Sequence, residues 1–283
     1  MPKEKLSLPG FRAAKRAGRK LTMVTSYDYT GAILADRSPV DALLVGDSLG
    51  MVMLGYSSTT GVTMDEILHH LRAVVRGAPN TFVIADMPFG SYNVSPQQAV
   101  TNANEVMKAG ADAVKLEGGI PFFDTIRTLV RAGIPVMGHV GLTPQTAGAL
   151  GGWKVQGRDA EAARQIIDDA MAVEQAGAFS IVLEMVPTLL AGHISQKLSI
   201  PSIGIGAGNQ TDGQVLVWQD MFGLYDRIAP RFVKRFAEAG QAISEGLVAY
   251  CAEVVAGTFP APEHSFKMKP EELLSATAEP VRT

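Results

Sequence analysis

Residues 81–119, TFVIADMPFGSYNVSPQQAVTNANEVMKAGADAVKLEGG, decide the fold. TFVIADM (81–87) is a short, nearly continuous apolar run that closes on a carboxylate. PQQAVTNANEVMKAGA has the spacing of an amphipathic helix, and its final Ala-Gly-Ala suits a helix C-terminus. AVKLEG (113–118) then opens a second apolar run. Strand, helix and strand in this order predict two parallel strands joined by a right-handed crossover. Parallel strands are covered on both faces, which is why these runs are apolar throughout instead of alternating.

The same grammar fills most of the chain. LTMVTSY (21–27), DALLVGD (41–47), PVMGHVG (135–141), SIVLEM (180–185), SIGIGAG (202–208) and QVLVWQD (214–220) bring the expected strands to eight. DAEAARQIIDDAMAVEQAGA, TLVRAGIPV and SQKLSIPSI carry the helix and turn between them. Eight such strands favour an α/β fold of the (β/α)8 TIM barrel type over an open doubly wound sheet. At 283 residues the chain suits one barrel domain, since such barrels reach roughly 250 residues. Residues 1–266 are assigned to this catalytic barrel, its first twenty residues forming a helix that plugs the bottom. The segment after Trp218 reads as closing helices, and 267–283 as a C-terminal tail that is partly disordered.

A composition of 47% hydrophobic and 19% charged residues fits a large core. The net charge of −3 gives no basic face for nucleic acid or an anionic membrane. The one basic run, FRAAKRAGRK (11–20), reads as a solvated helix face, with a small phosphate patch as the other option. No apolar run approaches the roughly 18–20 residues of a membrane span, and no signal segment is evident, so a soluble, cytoplasmic protein is expected. The single cysteine, Cys251, excludes an intramolecular disulfide; within LVAYCAEVV it is expected to be a buried structural thiol.

A barrel of this kind does its chemistry at the C-terminal ends of its strands. Those ends carry Ser26-Tyr27-Asp28, Asp47-Ser48, Asp86, Lys115 with Glu117, His139 and Glu184. Each has a plain structural alternative: an Asp after a strand can cap the next helix, and Lys115 with Glu117 can form an ion pair. Together, however, three carboxylates in a confined space need a compensating cation, and hard oxygen donors favour magnesium. Asp47, Asp86 and Glu117 are therefore the expected metal ligands, some through water. Lys115, two residues from Glu117 on one strand face, is placed to neutralise a substrate carboxylate. Glu184, in apolar surroundings that raise a carboxylate's pKa, is the expected general base, with His139 as its rival. Such a set suits proton abstraction beside a carbonyl and attack by the resulting carbon on an electrophile. In LLVGDSLG (43–50), Gly46 is expected to let the chain turn at the rim. The glycines of GIGAGNQTDGQ (204–214) lack the lysine of a P-loop and are read as permitting close approach, with a phosphate site as the alternative.

Collinear stretches over about residues 5–266 resemble the ketopantoate hydroxymethyltransferase family: VTSYDYT, LLVGDSLGMVMLGYSSTTGVT, IADMPFGSY, VKLEGG, GHVGLTPQ, GGWKVQGR, LEMVP, IGIGAGNQTDGQVLVWQDMFG and EHSF. The resemblance implies a barrel related to the phosphoenolpyruvate mutase and isocitrate lyase group. It implies hydroxymethyl transfer from the co-substrate 5,10-methylenetetrahydrofolate to the α-keto acid 3-methyl-2-oxobutanoate, giving 2-dehydropantoate for pantothenate synthesis through a magnesium-stabilised enolate. It further implies Asp47, Asp86 and Glu117 at Mg2+, and Asp47, Ser48, Asp86 and Lys115 at the keto acid. Glu184 is the implied proton acceptor, His139 and Tyr27 are supporting or substrate contacts, and the implied assembly is a homodecamer. A lyase or mutase of the related group is the alternative, but its loop cysteine has no counterpart in Cys251. A barrel that only binds a metabolite would be expected to lack site residues, and none is missing.

Overall fold

The computed structural model describes residues 3–227 and 230–278. Among them eight parallel strands close a barrel in sequence order. They are β1 (Leu21–Thr25), β2 (Ala42–Val45), β3 (Phe82–Asp86), β4 (Ala113–Lys115), β5 (Val136–Gly141), β6 (Ser180–Glu184), β7 (Ser202–Ile205) and β8 (Gly213–Leu216), and β8 pairs back onto β1. All eight expected strands are present, with ends trimmed where the chain leaves the ladder; β4 stops at Lys115 rather than Gly118.

Alternation along each strand builds two cores. Inward residues such as Met23, Leu44, Phe82, Ile84, Met137, Val182, Ile203 and Val215 fill the barrel. Their neighbours, including Leu43, Val45, Val83, Val114, Ile181 and Leu183, pack outward beneath the surrounding helices. Those helices include Tyr29–Asp36, Met64–Gly77, Pro96–Lys108, Phe123–Arg131, Ala160–Gln175 and Thr188–Lys197. The helix Met64–Gly77 begins with a reciprocal capping box between Thr63 and Glu66.

The expected bottom plug is the helix Leu8–Arg16, started by Ser7, whose side chain accepts from Gly10 N. Phe11, 1% exposed, belongs to the inner core and meets Phe82 and Phe179 edge-on at centroid distances of 5.0 and 5.2 Å. The basic run is mostly exposed, as expected, yet it also fastens the plug. Lys15 pairs with Asp212 at 2.7 Å and Arg19 with Asp41 at 2.9 Å.

The C-terminal region departs from expectation. Loop 206–212 joins β7 to β8 without a helix, and β8 is followed by the short helix Trp218–Met221. The long helix Ala239–Ala256 does not close the barrel: it buries no residue and leaves Ile243, Leu247, Val248, Tyr250, Val254 and Val255 exposed. Cys251, expected to be buried, is exposed for the same reason. The tail contains an exposed helix, Pro270–Thr277; the expected disorder falls in part on 279–283, which lie outside the described residues. Among the described residues no helix is long and apolar enough to cross a membrane.

Candidate active site

The inward positions at the top of the barrel hold charge where lower layers hold hydrocarbon. Asp86 continues the inward series Phe82, Ile84 on β3, and Lys115 follows Ala113 on β4. His139 follows Met137 on β5, and Glu184 follows Val182 on β6. Asp47 and Glu117 lie just past β2 and β4. All six face one cavity of about 460 Å³ at the C-terminal rim, and all except Glu184 are buried.

Short contacts knit this floor together. Lys115 Nζ donates to Asp86 Oδ1 at 2.5 Å, while Asp47 N donates to Asp86 Oδ2 at 3.0 Å. Gln145 Nε2 donates to Asp47 Oδ2 at 2.8 Å, and Gln145 N to Glu117 Oε2 at 3.0 Å. The Tyr92 hydroxyl donates to Gln145 Oε1 at 2.7 Å and accepts from Glu117 N at 3.3 Å. His139 lies between two carboxylates, with Nδ1 3.5 Å from Glu117 Oε1 and Nε2 3.3 Å from Glu184 Oε2. The hydroxyls of Tyr27 and Ser48 hydrogen-bond at 2.8 Å. Capping does not account for Asp47 or Asp86, whose carboxylates turn into this network. Asp28 is a cap, accepting from Gly31 N at 2.7 Å.

Glu184 stands on a constrained turn. Its carbonyl accepts from Leu142 N at 2.9 Å, and the next residue, Met185, has a left-handed backbone with φ 46°, uncommon for a side chain of its size. Met185 N donates to Ile205 O and its carbonyl accepts from Gln156 N, both at 2.9 Å, so neighbouring segments hold the conformation. Gly46 serves differently from expectation. Its backbone needs no glycine-only conformation, but a Cβ there would lie 2.9 Å from Ser48 Oγ and 3.3 Å from Asp86 Oδ2. In the glycine-rich loop, Gly208 has φ +75°, and a Cβ there would lie 2.3 Å from Thr188 Oγ1, consistent with the close-approach reading.

The electrostatics of the floor are unbalanced. Burial, then the charges of Asp86 and Glu117, push the Asp47 carboxyl well above the usual carboxylate range. Burial works against the Lys115 ammonium, but Asp86, Glu117 and Asp47 outweigh it and move its pKa upward. Burial and Lys115 likewise work against the His139 imidazolium, yet Glu117 and Glu184 raise it to about 9. Four carboxyl groups thus share the floor with one ammonium and one imidazolium, and a divalent cation would relieve the burial and repulsion that disfavour the Asp47 carboxylate. Among the described residues no three His, Cys, Asp or Glu side chains are disposed around a single ion. Hard oxygens with water completing the shell suit magnesium, which is commonly held by one or two carboxylates. Asp47, Asp86 and Glu117 supply carboxylates of the chemistry that such an ion would take.

The structure therefore brings Asp47, Ser48, Asp86, Lys115, Glu117, His139 and Glu184 onto one cavity, with Tyr27 joined to it through Ser48, while Asp28 is left outside as a cap. Sequence reasoning missed Gln145 and Tyr92, which tie Asp47 to Glu117, and Asp220 on the cavity lining. Tyr92 lies in a loop beyond β3 and Gln145 in the single 3-10 turn Pro144–Thr146 beyond β5, where no periodicity marks them. The motif stretches GHVGLTPQ and IADMPFGSY were the available signal.

Known proteins resemble this chain in both sequence and fold. The chain is 58% identical over 269 residues to the 3-methyl-2-oxobutanoate hydroxymethyltransferase of Heliobacterium modesticaldum, covering 95% of this chain and 98% of that one. It is 54% identical to the same-named enzyme of Clostridium novyi, covering 91% and 94%. Phosphonopyruvate hydrolase, solved as a complex with oxalate and Mg++, has a similar fold, with a TM-score of 0.59, 15% identity and 95% and 96% coverage. So does 2,3-dimethylmalate lyase of the PEP mutase/isocitrate lyase superfamily, with a TM-score of 0.57, 17% identity and 95% and 93% coverage. The model of the ketopantoate hydroxymethyltransferase family matches residues 5–262, and the chain belongs to that family.

Proposed function

We propose that this enzyme transfers the one-carbon unit of 5,10-methylenetetrahydrofolate to 3-methyl-2-oxobutanoate, with one water supplying the hydroxyl oxygen and tetrahydrofolate and 2-dehydropantoate as products. The observation that carries the reading is the placement of Glu184 on the same cavity as the Lys115 and Asp86 floor, with His139 Nε2 3.3 Å from its carboxylate. Lys115 and Ser48 bind the keto acid, and the Tyr27 hydroxyl fixes the Ser48 hydroxyl at 2.8 Å. Glu184 removes the proton from the branch carbon, and His139 orients Glu184 and stabilises its charge. Water breaks the two C–N bonds that hold the one-carbon unit to tetrahydrofolate, leaving its oxygen on that carbon at the aldehyde level, and the carbon nucleophile adds to it, the oxygen taking up a proton to become the hydroxyl. Asp47, Asp86 and Glu117 would hold magnesium, which would supply stabilisation of the negative charge that develops on the keto oxygen.

The chain is further proposed to be a cytoplasmic homo-oligomer, on family resemblance a decamer. The exposed apolar helix Ala239–Ala256 supports association, since an isolated chain would leave it in water. Purified protein supplied with magnesium and both substrates is expected to form 2-dehydropantoate. Folded protein that forms none under these conditions would refute the proposal.

A further inference from the structure

The cavity has two chemically distinct parts. The floor carries the charged residues already described, and a small branched keto acid accounts for that part alone. The rest of the cavity lining is largely apolar and includes the aromatic side chains of Trp153, Tyr225 and Phe232. One further charged side chain lines this cavity, that of Asp220, on the short helix Trp218–Met221 after β8.

Asp220 is firmly placed. Trp218 N donates to Thr25 Oγ1 at 2.9 Å, and Trp218 packs edge-on against Phe222 at 4.6 Å. Gln219 next to it is buried. The Asp220 carboxylate is half-buried and accepts no hydrogen bond among the described residues; Arg235 pairs instead with Glu238 at 3.1 Å. Burial raises its pKa to about 6, with Arg235 only partly opposing. A half-buried carboxylate that accepts no hydrogen bond from the described residues, on a cavity that aromatic side chains also line, suits a flat ligand with a pair of N–H donors on one edge.

We propose that Asp220 recognises the folate donor, its carboxylate accepting from the 2-amino group and N3–H of the reduced pterin while the ring lies against the aromatic wall. This rests on the reading that a tetrahydrofolate supplies the one-carbon unit. Two parallel N–H···O bonds to a carboxylate fix orientation as well as affinity. Asp220 would thereby turn the one-carbon end of the pterin toward the floor where the keto acid is bound. It is a binding residue for the second substrate and takes no part in removing the keto-acid proton.

The test measures binding of tetrahydrofolate, and of its 2-desamino-2-methyl analogue, to the magnesium-loaded full chain with keto acid present. Wild type, Asp220→Asn and Trp153→Ala are compared, with circular dichroism as the control for folding. Wild type should prefer tetrahydrofolate over the analogue roughly tenfold or more, as expected for a hydrogen bond to a charged group. Asp220→Asn should weaken tetrahydrofolate binding by a similar factor and lose that preference, because its amide offers only one acceptor. Trp153→Ala should weaken both ligands while keeping the preference. If Asp220→Asn binds tetrahydrofolate within twofold of wild type, or still discriminates against the analogue, the assignment is wrong. If wild type binds no tetrahydrofolate yet exchanges the branch-carbon proton of the keto acid, the donor reading fails and this inference with it.

Discussion

Asp86 and Lys115 are register partners on adjacent parallel strands, and their side chains meet inside the barrel with Oδ1 and Nζ 2.5 Å apart. Side-chain exposures of 4% and 5% put this pair out of reach of bulk water. The strand pairing therefore fixes the charge pair at the centre of the site.

Removing one partner leaves the other buried and unpaired. Lys115→Met is expected to lower the stability of metal-free protein by about 3 kcal/mol or more, read by urea unfolding. Adding Asp86→Asn should recover much of that loss. Equal stability of wild type and the single variant would show that the pair is not desolvated as described.

Glu184 and His139 are adjacent, so the base must be assigned by a step that only the base performs. Glu184→Gln should abolish exchange of the branch-carbon proton of 3-methyl-2-oxobutanoate into deuterated water, followed by proton NMR, while keto-acid binding is largely kept. Persisting exchange would transfer the role to His139.

Asp220 gives a pH signature. Its folded pKa of about 6 lies above its ordinary 3.8, so the folded state holds this proton more tightly than the unfolded chain. The aspartate therefore contributes nothing unfavourable below the lower value, and a growing penalty as pH rises through the interval to the upper one. Asp220→Asn should match wild type in melting temperature near the lower limit and exceed it above the upper. Paired thermal melts across that range check the sign, and a constant difference at all pH values would contradict it.

The helix Ala239–Ala256 should be covered in the proposed assembly. Leu247→Asp and Val255→Asp place charge on its exposed apolar surface and are expected to shift the protein toward monomer in light scattering after gel filtration. Cys251 should become correspondingly more reactive to a thiol reagent. An unchanged mass for both variants would show that association uses another face.

The sequence by itself determined the barrel and most of its charged rim. Each strand is a local apolar run, and a carboxylate, lysine or histidine inside such a run is conspicuous wherever it occurs. That is how Asp86, Lys115, His139 and Glu184 were legible, and why Glu117, two residues beyond Lys115, could be placed on the same face. Tertiary structure decided which of these groups touch. Gln145 reaches Asp47 from the 3-10 turn beyond β5, and the chain closes on Trp218 through Thr25, contacts that depend on strand register and barrel closure rather than on any local window. It also decided that Gly46 is needed for space beside Ser48 and Asp86 rather than for a turn. The apolar pattern of Ala239–Ala256 was equally plain in sequence, but it states only that the helix avoids water. In the described chain that surface stands free of the barrel, because hydrophobic burial has no direction and a run of apolar residues does not name what covers it.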